Sequence, residues 1–282
     1  MTAVFGRVTE TSWSWREPLA CGRPIVRLVE LDDDHAFELF LEVYGTLPRA
    51  GPGGDAHTVR AVSLVPGEAP AAVLDLGCGP GAQTAALASA LPEARIVAVD
   101  VLPAMVEEAG RRFIERGIDD RVVAVMGDMA APPVTPASQD LIWSEGAIYN
   151  LGVTEALRAW RPFLKSTGTV AFTEPVWLMD SPPTEILDWW LAEYPAITDS
   201  AGVRAQVEAA SFRTVASFAL PASAWWEEYY GPMEQRIAAL RTRLPDDPVA
   251  SEVATAAEAE IDYFLRFSDC YSYAFFIVQP ID

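Results

Sequence analysis

Hydrophobic positions along the chain change their period twice. From residue 71 to about 172, short apolar runs alternate with helical patterns. The runs at 71–76, 95–99, 121–125, 139–143 and 167–172 are too short for helices and are bounded by glycine, proline or charged residues, so they predict strands. Between them, 83–91 is alanine-rich. The stretch 104–116 places Met105, Ala109 and Phe113 at i, i+4 and i+8, and 154–163 is also helical in pattern. Strands alternating with helices predict βαβ units, a parallel sheet and right-handed crossovers. Ahead of this core, 35–44 and 58–64 read as helices. Asp32, Asp33 and Asp34 sit where a helix N-terminus favours acids, and 51–54 is a Gly-Pro-Gly-Gly loop.

The last third is different. Ser181 and Pro182 suit a helix start, with Ile186, Trp190 and Tyr194 following at four-residue spacing. Residues 212–220 and 271–279 read as two further strands. Between them, 222–268 is mostly helical and carries Trp225, Trp226, Tyr229 and Tyr230. The expected organisation is therefore an N-terminal extension or cap over 1–70 and a catalytic-type α/β unit over 71–282. Lid segments over 178–210 and 222–268 would cover the mouth of the sheet.

Charge narrows the partners. The 282 residues hold 40 acidic and 20 basic side chains, for a formal net charge of -20, and Lys165 is the one lysine. Such a field repels phosphate backbones and anionic lipid, so no nucleic-acid or membrane partner is expected. No run of about 18 apolar residues is present, and the first 20 residues lack an apolar signal core. Three cysteines far apart suit a reducing compartment, so a cytoplasmic location is expected. Two histidines, His35 and His57, leave little material for a metal site, and none is expected.

The most informative segment runs from Val73 to Thr84. It leaves a strand, turns on Gly77, Gly79 and Gly81, and enters a helix through Gln83 and Thr84. Glycines are needed where the turn is tight and a ligand touches the backbone. The spacing Gly77-x-Gly79-x-x-Ala82 also fits a dinucleotide fingerprint, which keeps an NAD-dependent oxidoreductase as the rival reading. Asp75, two residues before Gly77, puts a carboxylate in the loop mouth. That repels a pyrophosphate and attracts an ammonium. Asp100, at the end of the next strand, can accept two ribose hydroxyls. S-adenosylmethionine has an ammonium and a ribose diol and no phosphate, so it fits better than NAD.

On these residues, about 70–180 resembles the class I S-adenosylmethionine-dependent methyltransferases, through Asp75 to Gly81, Val99-Asp100 and Gly127-Asp128-Met129. Four other stretches are similar to a group of bacterial small-molecule methyltransferases. They are Gly51 to Gly53, the run Ser144 to Gly152, Glu174 with Trp177, and Tyr273 to Gln279. The resemblance implies an α/β, Rossmann-like seven-stranded sheet of order 3-2-1-4-5-7-6, its last strand antiparallel. It also implies cofactor contacts from Asp75, Gly77, Gly79, Gly81, Gln83, Thr84, Asp100, Val101, Asp128, Met129 and Ser144. Bacterial indole C-methyltransferases are one such group.

The acceptor side is read from the acids and aromatics. Glu145 and Glu174 follow the fourth and fifth strands, at the edge where parallel sheets bind ligands. Glu145 is open to a cofactor-side hydrogen bond or acceptor contact. Glu174 is open to an ion pair with an arginine such as Arg60 or to acceptor contact. Adjacent aromatic doublets on a helix cannot both face a core, so one of each pair is expected at a cleft, a partner or solvent. Ordinary lid packing competes with an aromatic pocket that stacks on a flat substrate or cages a cation. The expected catalytic residues are Glu145, Tyr149 and Glu174, and the expected acceptor contacts are Tyr149, Asn150, Trp177, Trp190, Tyr194, Trp226 and Tyr229. The expected reaction is methyl transfer to a small molecule, at an amine nitrogen or an indole-type carbon. O-methylation, with His57 or a carboxylate as base, is the alternative. The Asn-Pro-Pro-Tyr motif of base-flipping enzymes is absent after the fourth strand. A homo-oligomer is left open.

Overall fold

A computed structural model describes residues 34–45 and 47–281. Two helices come first, α1 (Asp34–Phe40), which continues into a wide π turn at Leu41–Gly45, and α2 (Asp55–Ser63). The alternating region then runs β1 (Ala72–Leu76), α3 (Ala82–Ala90), β2 (Arg95–Asp100), α4 (Pro103–Arg116), β3 (Val122–Met126), β4 (Gln139–Ser144), α5 (Val153–Trp160) and β5 (Leu164–Trp177). The remainder is α6 (Thr184–Glu193), β6 (Thr198–Asp199), α7 (Ser200–Ala209), β7 (Phe212–Ala219), α8 (Ser223–Trp225), a second π turn at Trp226–Tyr230, α9 (Gly231–Arg243), α10 (Pro248–Phe267) and β8 (Tyr271–Pro280). The proposed cap at Asp32 and Asp33, and the whole of residues 1–33, lie outside the described residues.

The sheet order is β3-β2-β1-β4-β5-β8-β7, with β6 pairing β5 off that path. Strands β1 to β5 pair in parallel, and β8 runs antiparallel to both β5 and β7. The expected seven-stranded order is thus present, with β8 and β7 in the places of its seventh and sixth strands. The two-residue β6 is an addition, too short for any periodicity to announce. Strand β5 extends past the expected 172 to Trp177 because β8 matches it residue by residue, from Val170 with Val278 to Trp177 with Tyr271.

The alternation was legible because the sheet is covered on both faces. Helix α4 buries Met105, Ala109 and Phe113, the predicted stripe, and ends on Gly117 in the left-handed conformation. One core joins Leu39, Val43, Tyr44 and Leu47 of the N-terminal segment to Trp143 and Phe275 of the sheet and to Trp225, Ile237 and Phe264 of the 222–268 insert. The second, on the other face, centres on Phe172, Trp160 and Phe276.

One expectation about the doublets fails. Tyr229 and Tyr230 are both buried, at 4% and 1% exposure. They lie on the π turn, where the wider backbone lets neighbouring side chains turn inward together. Both hydroxyls donate to Glu260 Oε1, at 3.1 and 3.0 Å, and Tyr44 donates to Oε2 at 3.3 Å. Glu260 is itself buried, and burial pushes its carboxyl up to about 8. The other doublets behave as expected. Trp190 and Trp225 are buried while Trp189 and Trp226 are half-buried, and Trp189 stacks on Tyr263 with ring centroids 5.1 Å apart.

Glu260→Ala removes the acceptor of three hydroxyls and is expected to lower stability by about 2–4 kcal/mol, whereas Glu260→Gln keeps an acceptor and loses less. Denaturant unfolding of both variants measures this. Equal midpoints for wild type and Ala would show that the tyrosines find other partners.

Candidate functional site

The carboxyl edge of the sheet gathers most of the predicted cofactor residues. Gly77, Gly79 and Gly81 all have positive φ, at 72°, 51° and 80°. A Cβ on Gly77 would lie 2.3 Å from Ala147 Cβ, and one on Gly81 2.8 Å from the Phe113 ring, so close packing as well as backbone conformation demands glycine here. The loop is pinned to β2 by Gly77 N–H and Cys78 N–H, both donating to Val99 O. Gln83 Nε2 donates to Cys78 O at 2.9 Å and so braces the turn from within.

Asp75 is fully buried in β1. Its Oδ2 accepts from Thr84 Oγ1 at 2.6 Å, and its Oδ1 has no partner. Burial raises this carboxyl to about 7, against the opposing pull of the Thr84 bond. Asp100 ends β2 and accepts from Gly79 N–H at 2.8 Å and Leu102 N–H at 3.0 Å; burial shifts it upward too. Val101 beside it is exposed at 55%. Asp128 Oδ1 accepts from Ala130 N–H, and the Met129 carbonyl accepts from Trp160 Nε1 at 2.8 Å, which fixes the turn after β3. Ser144 Oγ donates to Leu76 O at 2.9 Å and ties β4 to the loop's first residue.

Glu145 is held from three sides. Oε2 accepts from Arg49 at 3.0 Å, and Oε1 accepts from Thr58 Oγ1 at 2.7 Å and Trp143 Nε1 at 2.9 Å. Burial raises its carboxyl, with Arg49 the main opposing influence. Arg49 and Thr58 were not singled out in the sequence. An isolated arginine beside a glycine loop in an acid-rich chain was the available signal, but its partners lie 6, 96 and 179 positions away.

Glu174 does not pair with Arg60, whose guanidinium stacks 3.9 Å over the Phe218 ring. Glu174 Oε1 instead accepts from Tyr194 OH at 2.5 Å, and Oε2 is buried without a partner. Burial raises this carboxyl to about 8. The Tyr149 ring meets Tyr194 edge-on at 6.1 Å. Burial raises the Tyr149 hydroxyl, with Glu174 next and smaller contributions from Glu260 and Asp100, so this residue lies within electrostatic reach of both the loop and the buried acids.

The remaining predicted acceptor contacts are dispersed. Asn150 is exposed and its amide donates back to Ala147 O. Trp177 is half-buried, 6.5 Å from Trp190 and from Tyr271. Trp190 is fully buried with an unpartnered Nε1, and Tyr271 OH is likewise unpartnered. Tyr229 faces Glu260 in the packed core rather than a cleft, and Trp226 stays half-buried against that core. Among the described residues, no group of three His, Cys, Asp or Glu could hold a metal, and no helix is long and apolar enough to cross a membrane.

The same strand–loop–helix segment, the five elements after it and the start of β5 are matched by the family model described as a methyltransferase domain, over residues 73–168. Trans-aconitate 2-methyltransferase of Methylobacterium nodulans is 40% identical over 92 residues, which is 32% of this chain and 36% of that one. Malonyl-[acyl-carrier protein] O-methyltransferase of a Methylovorus species is 39% identical over 83 residues, 28% of each chain. The chain thus spans about a third of the length of these relatives. In structure it is similar to a SAM-dependent methyltransferase from Geobacter sulfurreducens solved with S-adenosyl-L-homocysteine. The TM-score is 0.74 at 20% identity, covering 86% of this chain and 98% of that one, a likeness of fold. The match ends before Glu174, so it spans the glycine loop and Asp100 but not the second acid.

The buried acids predict a pH dependence. Asp75, at about 7, and Glu174 and Glu260, at about 8, release protons in the folded chain well above their unfolded values. The folded state therefore holds more protons between about pH 4 and 8, and stability falls as pH rises through that window. Denaturant midpoints of the ligand-free chain should drop from pH 5 to pH 8, with a shallower slope below pH 7 in Asp75→Asn. A rising midpoint over that range would contradict the burial of these acids.

Proposed function

We propose that this chain transfers a methyl group from S-adenosylmethionine to a small-molecule acceptor, at an amine nitrogen or an electron-rich aromatic carbon. The fit to the cofactor rests on three features. The glycine loop leaves backbone open where side chains would intrude. Asp75 keeps an unpartnered buried oxygen that suits an ammonium. Gly79 N–H already donates to Asp100, so the loop presents carboxylates rather than the free amides that a pyrophosphate would use. The bound cofactor supplies an electrophilic methyl on a sulfonium. Asp100 would hold the ribose hydroxyls, Val101, Asp128 and Met129 would hold the adenine, and Ser144 would lie at the methionine end.

The acceptor reading is carried by one observation. Glu174 has a buried oxygen with no partner while Tyr194 holds the other. An amine or an indole-type carbon becomes cationic as it attacks, and Glu174 Oε2 stabilises that charge or takes the proton. Tyr149, whose ring meets that of Tyr194, the residue that donates to Glu174, is the residue that would position the acceptor. Glu145, with both oxygens engaged by Arg49, Thr58 and Trp143, holds the surrounding segments instead of touching the acceptor. The predicted lid over 178–210 holds only as far as about 199, because α7 packs on the sheet beside α5, with Val203 and Val207 in the second core; on this reading 178–199 and 222–268, with the N-terminal helices, form the cover that excludes water. A carboxylate acceptor is disfavoured, because Arg49 is the one buried arginine among the described residues and it faces three carboxylates. Phenol O-methylation is the second reading. It is served by Glu174, an acid that burial raises to about 8.

Two measurements test this. Asp100→Ala should weaken S-adenosylmethionine binding about 10–100-fold while leaving the fold intact, read by calorimetry. Unchanged affinity removes Asp100 from the site. Mass-shift screening of amine, indole and phenol libraries identifies the acceptor. On it, Glu174→Gln should lower turnover about 10–1,000-fold with little change in cofactor affinity. Full turnover would refute the acid's role, and a phenolic acceptor would select the second reading.

A further inference from the structure

The guanidinium of Arg49 is nearly enclosed, at 3% side-chain exposure, and each of its three nitrogens donates to a different carboxylate. NH1 reaches Glu145 after β4 at 3.0 Å, Nε reaches Glu228 on the π turn of the 222–268 insert at 3.2 Å, and NH2 reaches Asp55 at the start of α2 at 3.1 Å. Three segments far apart in sequence therefore meet on one cation. Burying an arginine costs several kcal/mol unless its donors are satisfied, and removing one member of such a set leaves the others uncompensated.

The placement matters more than the energy. Ala50, the next residue, lies against Gly79, 3.4 Å from where a Cβ on that glycine would be. Ala147, two residues beyond Glu145, lies against Gly77 in the same way. The Arg49–Glu145 pair thus closes a bracket whose two arms press on the first and second glycines of the loop. Gly53 leaves room for it, since a Cβ there would come within 3.1 Å of Arg49 Cδ and 3.4 Å of Glu145 Oε2. Two further bonds steady the arm that carries Arg49. Gly53 N–H donates to Ala224 O of the insert at 2.9 Å, and Arg112 of α4 donates to Pro48 O at 2.8 Å.

We infer that Arg49 is a positioning residue that clamps the 47–54 segment and the 222–230 part of the lid onto the cofactor loop, so that cofactor binding and closure over the acceptor are coupled through it. The inference rests on the cofactor reading above. The residue acts through Glu145 and Glu228 and touches no reacting atom. One guanidinium suits the task where a lysine would not, because three donors in a fixed plane can engage three separately mounted carboxylates together.

The test uses the full chain with S-adenosyl-L-homocysteine as probe, read by calorimetry and by hydrogen exchange with and without the probe. In wild type, exchange should slow over 47–54 and 222–230 when the probe is added. Arg49→Met, checked for fold by circular dichroism, should bind about 10–100-fold more weakly and lose that ligand-dependent slowing, and Arg49→Lys should recover part of both. A merely structural arginine would shift the unfolding midpoint without changing the ligand-dependent difference. Arg49→Met that binds as wild type does, with the same slowing, overturns the inference. If the Met variant does not fold, Arg49→Lys decides the matter: weaker binding with reduced slowing supports the clamp, and wild-type behaviour overturns it. Wild type that does not bind the probe overturns the cofactor reading itself, and the clamp with it.

Discussion

Acidic side chains crowd the carboxyl edge of the sheet, and one buried guanidinium is available to serve them. Asp100 ends β2 and Glu145 follows β4, whereas Asp75 lies within β1 and Glu174, expected after the fifth strand, lies within β5 because that strand runs on to Trp177; burial shifts each of their carboxyls upward. An uncompensated buried carboxylate is expensive, so each must find donors or keep its proton. Arg49 resolves Glu145, backbone amides resolve Asp100, and hydroxyls resolve one oxygen each of Asp75 and Glu174. What remains is one unpartnered oxygen on each of the last two acids. The arrangement leaves negative character in two places, one beside the glycine loop and one beside Tyr149.

On the proposed reading, those two places would meet the two cationic partners that methyl transfer to a nitrogen or an indole-type carbon brings together. The ammonium of the donor enters with its charge in place, whereas the acceptor acquires positive charge only as the bond forms. A site built for both would hold its first acid rigidly and tune its second near neutral pH. Thr84 grips Asp75 from the first turn of α3, and Tyr194 grips Glu174 from the C-terminal end of α6.

Much of the fold and half of the site could be read from residue order. The strand–helix alternation, the glycine loop and Asp100 leave local signals, because a tight turn and a strand end constrain neighbouring residues. Glu174 was visible as an acid at a strand end, but whether it met Arg60 or a cleft depended on where residue 194 folds back. Tyr229 was misplaced because a π turn has no period distinct enough to separate it from an ordinary helix. Arg49 carried only the weak signal of a lone arginine beside a glycine loop: its significance lies in partners from three separate segments, and such convergence is a property of tertiary structure.

Strand β8 sits between β5 and β7 although it follows every other described strand in the chain. Until it arrives, β7 has no neighbour in the sheet and the whole flank of β5 from Val170 to Trp177 is an open edge. Emerging from a ribosome, the first five strands can assemble in order while this seam stays unfilled. The seam is apolar, with Phe275, Phe276 and Ile277 fully buried once seated. The flank of β5 and the whole of β7 are therefore open to wrong pairing until β8 is seated, and its ten residues complete both cores at once.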